Sequence, residues 1–149
     1  MRRKFSDQPL SGEGARLYGG RWNPPGVSVA YTSASLALAS LELFVHLNRD
    51  DRPPDLVSAA AEIPDDVTTT RIEPKDLPGD WRKYPAPSEL QEIGRSWIHE
   101  GKSAVLRVPS VVVPDEYNYL INPSHPHFRR IVIHPVEPFA FDERMFKKS

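Results

Sequence analysis

The glycine-rich run of residues 12–26 constrains this chain more than any other stretch. Its fifteen positions hold five glycines and two prolines together with Arg21, Trp22 and Asn23. Glycine loses much backbone entropy on folding and buries no side chain, so such a run forms a linker, an incidental surface turn or a shaped loop. Flexible linkers are composed of small polar residues rather than tryptophan and arginine. The run therefore predicts a shaped loop that presents Arg21 and backbone amides to a ligand.

Composition limits the class of protein. A chain of 149 residues with 39% hydrophobic and 26% charged residues suits one soluble globular domain over 1–149. Its net charge of −1 argues against a nucleic-acid-binding surface, because such domains usually carry an excess of basic residues. The absence of cysteine excludes disulfides and a cysteine nucleophile. No apolar run resembles a signal peptide or a membrane span, so we expect a cytoplasmic protein without a membrane partner.

Short strands outnumber helices after residue 55, which predicts an α+β (mixed α/β) fold with a central mixed or antiparallel sheet and flanking helices. Residues 115–126 read as a loop, and the last two predicted strands are expected to close the sheet. Ser33 is expected to cap the first helix. The predicted helices cover 34–48 and 88–99, and the predicted strands cover 27–31, 56–63, 67–72, 104–108, 130–134 and 136–141.

Glu42 stands in the middle of the first predicted helix, which is apolar almost all round and is therefore expected to be largely buried. An ionised carboxylate there is costly unless it meets a cation or hydrogen-bond donors. Glu42 is then a glutamate on the one solvent-exposed side of the helix, one partner of a structural ion pair, or a carboxylate at the edge of a cavity. In the last case Arg21 is the natural partner.

Polar residues of catalytic type stand on separate predicted elements, and a pocket in which they meet would suit an anionic ligand. Arginine binds phosphate through two charge-assisted hydrogen bonds, and glycine amides add to it. Tyr31 or Trp22 can stack on a base or a nicotinamide ring, and a carboxylate can stabilise a ribosyl oxocarbenium ion. Spacing alone leaves their convergence open. The candidates are Arg21, Tyr31, Glu42, Ser110, Asn118 and Asn122.

Several familiar motifs are missing from the sequence. The glycines do not form a dinucleotide-binding fingerprint, and no phosphate loop with Gly-Lys-Ser/Thr occurs. Ser110 lacks the glycine elbow of a hydrolase nucleophile. His125 and His127 flank a proline and make a poor chelate without a third ligand. We therefore expect no metal site.

Several motifs in order resemble the RES domain, a family named after an arginine, a glutamate and a serine that match Arg21, Glu42 and Ser110. The resemblance runs from about residue 11 to residue 144. The motifs that carry it are Gly12–Ala15, Gly19–Asn23, Tyr31–Ser33, Leu38–Leu43, Val108–Ser110, Asn118–Pro123 and His125-Pro126.

The resemblance implies the toxin of a bacterial type II toxin–antitoxin pair, with a fold similar to ADP-ribosyltransferase toxins. Family members deplete NAD by hydrolysis or phosphorolysis of the nicotinamide–ribose bond. NAD would then be a substrate, inorganic phosphate a second substrate in phosphorolysis, and no cofactor would be needed. The implied partner is an Xre-type helix-turn-helix antitoxin that covers the active site of a toxin homodimer inside a larger complex.

The resemblance also implies roles for single residues. Arg21 would hold the NAD pyrophosphate or ribose, Tyr31 would stack on or orient the nicotinamide side, and Glu42 would stabilise the ribosyl cation. Ser110 would hydrogen-bond the substrate near the scissile bond, with Asn118 as a further contact. The remaining implied substrate contacts are Gly20, Trp22, Asn23 and Asn122.

The N-terminal segment 1–11 departs from the family pattern. Family chains usually carry an extra strand before the glycine loop, whereas this chain opens with Met1-Arg2-Arg3-Lys4-Phe5-Ser6. Either a shorter segment replaces that strand or the start site is placed late, and loss of the strand would expose a sheet edge and weaken one wall of the pocket. Three other functions compete with NAD cleavage. They are ADP-ribosylation of a macromolecule, a ribonuclease using Arg21, Glu42 and a histidine such as His46 or His125, and a catalytically silent module that binds the antitoxin.

Overall fold

The computed structural model describes residues 1–47 and 53–146. Within these ranges no helix is long and apolar enough to cross a membrane. The helices are α1 (Glu13–Tyr18), α2 (Leu36–Phe44) and α3 (Ser88–Glu100). The strands are β1 (Ala30–Ser33), β2 (Val57–Ser58), β3 (Ala61–Glu62), β4 (Thr69–Arg71), β5 (Val105–Pro109), β6 (Tyr117–Ile121), β7 (Val132–Ile133) and β8 (Glu137–Pro138).

A four-stranded sheet in the order β1-β6-β5-β4 forms the centre of the molecule. Strands β1, β6 and β5 are antiparallel neighbours, and β4 lies parallel to β5. The predicted mixed α/β architecture is thus confirmed. Ser33 of β1, Asn118 of β6 and Val108 of β5 are aligned across the sheet. Aligned residues project from the same face, so this register fixes which side chains can meet.

The prediction that 115–126 forms a loop is wrong, because β6 occupies the centre of the sheet. Turn-forming prolines and asparagines surround Tyr117–Ile121, so the alternating side-chain pattern of this segment did not predict a strand. Leu120 and Ile121 are both fully buried, one on each face of the sheet. Asn118 shares the face of Leu120 and lies near the N-terminal end of the strand.

The C-terminal strands do not close this sheet as predicted. Strand β7 pairs with β3 and β8 pairs with β2, in two separate two-stranded sheets. The single strand predicted over 56–63 is correspondingly split in two. The N-terminal segment joins one of these pairs, since Met1 and Val57 exchange backbone hydrogen bonds and Arg2 bridges to Leu56. Whether this segment replaces a strand of the family pattern stays a prediction.

The glycine-rich run is only in part a loop. Its first half forms α1, which Gly12 and Gly19 bound with positive φ angles of 69° and 71°. Backbone with φ in this range favours glycine, which explains its presence at both ends of the helix. The shaped loop is therefore confined to residues 19–26. The strand predicted over 27–31 begins later, at Ala30.

Helix α2 differs from the prediction in length and burial. It ends at Phe44, and residue 48, the last predicted position, lies outside the described residues. Its N-cap is Ser35, whose Oγ accepts the Leu38 N–H, and not Ser33. Leu38 alone is buried in this helix, whereas Leu36 is 55% exposed. An apolar composition on every side gave no periodicity that could identify the side facing water.

Helix α3 agrees closely with the predicted 88–99 and covers one face of the sheet. Leu90 and Trp97 are buried against Leu106 and Leu120. The helix ends as predicted at Gly101, with a φ of 60°. The opposite face of the sheet carries a second buried cluster that includes Val105 and Ile121.

Substitution Gly94→Ala should destabilise the protein by about 3 kcal/mol, because overpacking against rigid backbone is costly. A Cβ at Gly94 would lie 1.7 Å from the carbonyl oxygen of Trp22, so α3 would have to move away from the loop. Gly79→Ala is the matched control, since its Cβ would meet nothing within 4 Å. Urea unfolding of both variants measures the difference, and equal midpoints would contradict the close contact.

Candidate functional site

The side chain of Asn23 shapes the loop of residues 19–26 from inside. It is completely buried, and its Nδ2 donates to the carbonyl oxygens of Ala15 (2.9 Å), Pro24 (3.1 Å) and Val27 (3.0 Å). Its Oδ1 accepts the hydroxyl of Tyr31 at 2.7 Å. One amide therefore joins α1, the loop and β1 and adds a donor to three partly buried carbonyls, of which those of Ala15 and Pro24 also accept a backbone N–H.

Tyr31 is held at its hydroxyl end and open elsewhere. The hydroxyl donates to Asn23 and accepts the backbone N–H of Trp22 at 3.0 Å. Burial of this end raises the pKa of Tyr31, and the Trp22 N–H and the Arg21 charge oppose that rise. The residue as a whole is nevertheless 41% exposed, so the exposed surface lies on the ring. The ring can stack on a ligand without losing its anchor.

Gly20 and Trp22 build the loop and offer no side chain to a ligand. A Cβ at Gly20 would lie 2.6 Å from the Tyr31 hydroxyl, so only glycine leaves room for that anchor. Trp22 is 3% exposed and packs in the core with Val29 and Leu90. The Trp22 indole is thus packed in the core beside α3, and its expected contact with the substrate stays a prediction.

Arg21 is partly buried, and one of its nitrogens is bound to the protein. Nη1 donates to the backbone carbonyls of Trp81 (2.8 Å) and Lys83 (3.2 Å). Among the described residues the other guanidinium nitrogens donate to no group, so they remain available to an anion. Burial lowers the pKa of Arg21, while the charge of Glu42 acts in the opposite direction. An arginine still stays protonated, so the site contains a fixed positive charge.

The carboxylate of Glu42 is held from two sides. Its Oε1 accepts the Ser110 hydroxyl at 2.8 Å and the Asn118 Nδ2 at 2.6 Å. Ser110 is 2% exposed, and its Oγ accepts the N–H groups of Val112 (3.1 Å) and Val113 (3.0 Å). Within the described parts of the chain, Oε2 has no donor. The carboxylate is thus fixed through one oxygen and free at the other.

The structure brings Arg21, Tyr31, Glu42, Ser110 and Asn118 together, a convergence that their spacing in the sequence left open. Glu42 is neither a freely exposed glutamate nor part of a direct ion pair with Arg21 within the described residues. Both donors to Glu42 stand at one end of the sheet, where β5 ends and β6 begins. That end is also where β1 leads into α2, because Ser33 of β1 is aligned with Asn118.

Asn122 lies outside this cluster. It follows the opposite end of β6, about 13 Å from Asn118 at the usual rise per residue of a strand. Its Oδ1 accepts the Ser124 N–H at 2.9 Å, and the residue is 3% exposed. Asn122 therefore shapes a turn, and its expected contact with the substrate stays a prediction.

His125 also has a structural role. Its Nδ1 accepts the N–H of His127, and its Nε2 contacts the carbonyl of Gly101. No cluster of three or more metal-ligating side chains exists within residues 1–47 and 53–146.

Four residues that contribute to the site were absent from the expected site residues. Ser33 donates to Asn118 Oδ1 at 2.7 Å, and the carbonyls of Trp81 and Lys83 hold Arg21. Gln91 of α3 donates to the Gly20 carbonyl at 2.9 Å. The two-residue spacing of Tyr31 and Ser33 could have revealed Ser33, since alternate strand residues share a face. Nothing local to the sequence marks the backbone carbonyls.

Comparison with known proteins places the chain in a family. The family model described as the RES domain matches residues 2–142, so the chain belongs to the RES-domain family.

Two relatives extend the comparison over nearly the whole chain. A Sphingobium sp. (strain YBL2) protein named "Prs ADP-ribosylating toxin" is 40% identical, covering 99% of this chain and 92% of the relative. A Yersinia enterocolitica protein named "Toxin Res" is 37% identical, covering 96% of this chain and 94% of the relative.

A solved structure shares the fold. A chain of the M. tuberculosis MbcT–MbcA toxin–antitoxin complex superimposes with a TM-score of 0.66 at 17% identity. The match covers 92% of this chain and 79% of that chain. At this identity the likeness shows the fold alone.

Substitution Asn23→Asp should lower the free energy of unfolding by at least about 3 kcal/mol at neutral pH, because a charged oxygen would replace the buried Nδ2 that faces three backbone carbonyls. Asn122→Asp is a control of equal chemistry and similar burial, since the Oδ1 of Asn122 accepts and an aspartate oxygen can replace it. Urea denaturation compares the two. A loss as large in the control would show that burying the charge, and not losing the three hydrogen bonds, sets the cost.

Proposed function

We propose that this protein is the toxin of a toxin–antitoxin pair and that it degrades NAD by cleaving the nicotinamide–ribose bond. Water or inorganic phosphate would accept the ADP-ribosyl group, giving hydrolysis or phosphorolysis, and no other cofactor takes part. The toxin names of the Sphingobium and Yersinia relatives support the first part. The observation that supports cleavage of the nicotinamide–ribose bond is the Glu42 carboxylate, which is held at Oε1 and open at Oε2.

Cleavage of this bond needs a fixed negative charge. Nicotinamide leaves with the bonding electrons, and positive charge builds up on the ribose ring. The acceptor oxygen then bonds to the anomeric carbon, and the acceptor gives up a proton. A preorganised carboxylate beside the ring stabilises that positive charge and needs no reorganisation at the moment of reaction; one such group contributes about 3–4 kcal/mol.

Arg21 and Tyr31 supply the binding functions of the proposed site. The free guanidinium nitrogens of Arg21 suit the NAD pyrophosphate, which they can reach with charge-assisted hydrogen bonds. The open ring of Tyr31 suits the nicotinamide side of the substrate. Ser110 donates its one proton to Glu42, so in this arrangement it acts on the carboxylate. Its expected hydrogen bond to the substrate stays a prediction.

ADP-ribosylation of a macromolecule is the second candidate function. The same cleavage with a protein or nucleic-acid nucleophile in place of water would use the same carboxylate. The printed name of the Sphingobium relative, "Prs ADP-ribosylating toxin", favours it.

One experiment separates these reactions. The purified protein is incubated with NAD with and without inorganic phosphate, and the products are resolved by chromatography. Free nicotinamide with ADP-ribose indicates hydrolysis, and a phosphorylated ADP-ribose that depends on added phosphate indicates phosphorolysis. Radiolabel transferred from NAD to protein in a cell lysate indicates ADP-ribosylation. Unchanged NAD in both arms would overturn the proposal.

Glu42→Gln should reduce NAD turnover by about 10²–10³-fold, since the amide keeps the shape and removes the charge that stabilises the cation. Glu92→Gln is the control, because Glu92 lies on the exposed side of α3 in an ion pair with Arg95. Nicotinamide release is measured for both, with circular dichroism to verify folding. Turnover retained by Glu42→Gln would remove this residue from its proposed role.

The proposed partner is an Xre-type helix-turn-helix antitoxin that covers the site, with the toxin as a homodimer in the complex. Exposed apolar residues in α2 and at its C-terminal end support a covered surface near Glu42: Leu36 is 55% exposed, Leu41 38% and Val45 55%. Exposed apolar groups of this number next to a site are typical of interaction surfaces.

Val45→Asp should weaken antitoxin binding by about tenfold or more, since the charge must be desolvated in the interface. Val132→Asp is the control, because Val132 is 50% exposed and stands on β7, in a separate sheet. Titration calorimetry with the antitoxin gives both affinities. Equal affinities in the two variants would place the antitoxin elsewhere.

A further inference from the structure

Ser33, the last residue of β1, begins a chain of side-chain hydrogen bonds that ends on Glu42. Its Oγ donates to Asn118 Oδ1 at 2.7 Å, and Asn118 Nδ2 donates to Glu42 Oε1 at 2.6 Å. The sheet register places Ser33 directly opposite Asn118, so the first bond spans neighbouring strands. Ser33 is free for this contact because Ser35 caps α2.

The order of donors and acceptors in this chain is set by charge. An ionised carboxylate only accepts, so the Asn118 amide must turn its NH₂ group toward Glu42. Its carbonyl oxygen then faces β1, where it needs a donor, and the Ser33 hydroxyl supplies one. A hydroxyl that donates to an amide oxygen also strengthens the hydrogen bond that the NH₂ group of that amide donates.

Glu42 depends on such tethers because its helix is weakly packed. Leu38 is the one buried residue of α2, and the Glu42 side chain is half-buried. The second tether, Ser110, is itself fixed by the Val112 and Val113 N–H groups. The first tether, Asn118, is fixed in a similar way by the hydroxyl of Ser33.

We propose that Ser33 is a positioning residue: it locks the Asn118 amide in the orientation that holds the Glu42 carboxylate in place. Ser33 itself touches neither the proposed substrate nor the reacting atoms. Its effect on catalysis rests on the proposed function at Glu42, whereas its effect on the Asn118 amide does not. Loss of the hydroxyl should therefore slow the chemical step and leave substrate binding unchanged.

Kinetics with NAD test the catalytic part. Ser33→Ala should lower kcat about fivefold to tenfold, the size expected for one neutral hydrogen bond, with KM within twofold of the wild type. Ser33→Thr retains the hydroxyl and should restore kcat to within about twofold. Thr32→Val is the matched control on the same strand, because its hydroxyl donates to the Tyr119 carbonyl and has no link to Glu42. An equal fall in kcat in Thr32→Val, or no restoration by threonine, overturns the role.

Nuclear magnetic resonance tests the structural part without any turnover. The side-chain NH₂ signals of Asn118 in the ¹⁵N-labelled protein, assigned with Asn118→Asp, should shift in Ser33→Ala and stay in place in Thr32→Val and Ser33→Thr. Unshifted signals in Ser33→Ala overturn the positioning role whether or not the protein cleaves NAD. A shift in Ser33→Ala in a protein that leaves NAD intact supports the positioning role and overturns only the proposed reaction.

Discussion

The buried amide of Asn23 is the interaction on which the geometry of the site depends. Its three donated hydrogen bonds close the loop between α1 and β1, and the one it accepts fixes Tyr31. The closed loop brings the Trp22 backbone against Gly94 of α3, so the helix and the loop form one packed unit. Arg21 stands on that unit. A glycine-rich segment, poor in contacts of its own, is therefore rigid because one side chain supplies the missing partners.

Much of the candidate site could be predicted from residue chemistry, because arginine, tyrosine and glutamate on separate elements suit an anionic substrate with a sugar ring. The resemblance to the RES domain pointed to the same residues. The expected site residues that lie apart from the cluster differ from it in exposure or position. Trp22 is aromatic and follows Arg21, yet it is buried, and Asn122 is as polar as Asn118 but stands at the other end of β6. Burial and strand direction are properties of the packed chain, and local composition does not encode them.

The fold was predicted best where periodicity was strong. Helix α3 has one apolar side and a glycine at its end, and both signals appear in the structure. Strand β6 was missed because turn-forming residues surround five residues of mixed polarity, and pairing on both sides outweighs that local preference. Helix α2 was placed correctly but given too much burial. Apolar residues on all its sides leave the choice of the inner side to the tertiary structure, which selects Leu38.

The contacts of Arg21 with the Trp81 and Lys83 carbonyls have a consequence for the energetics of recognition. An unrestrained arginine loses side-chain freedom when it closes on an anion, which opposes binding by about 0.5–1.5 kcal/mol. Here folding has already restricted the guanidinium, and the remaining nitrogens keep a fixed direction. In the proposed role of Arg21, an anion of the right shape would meet a receptor that need not rearrange, while an anion of another shape could not draw the arginine toward it. The two carbonyl contacts would then convert part of the folding free energy into selectivity.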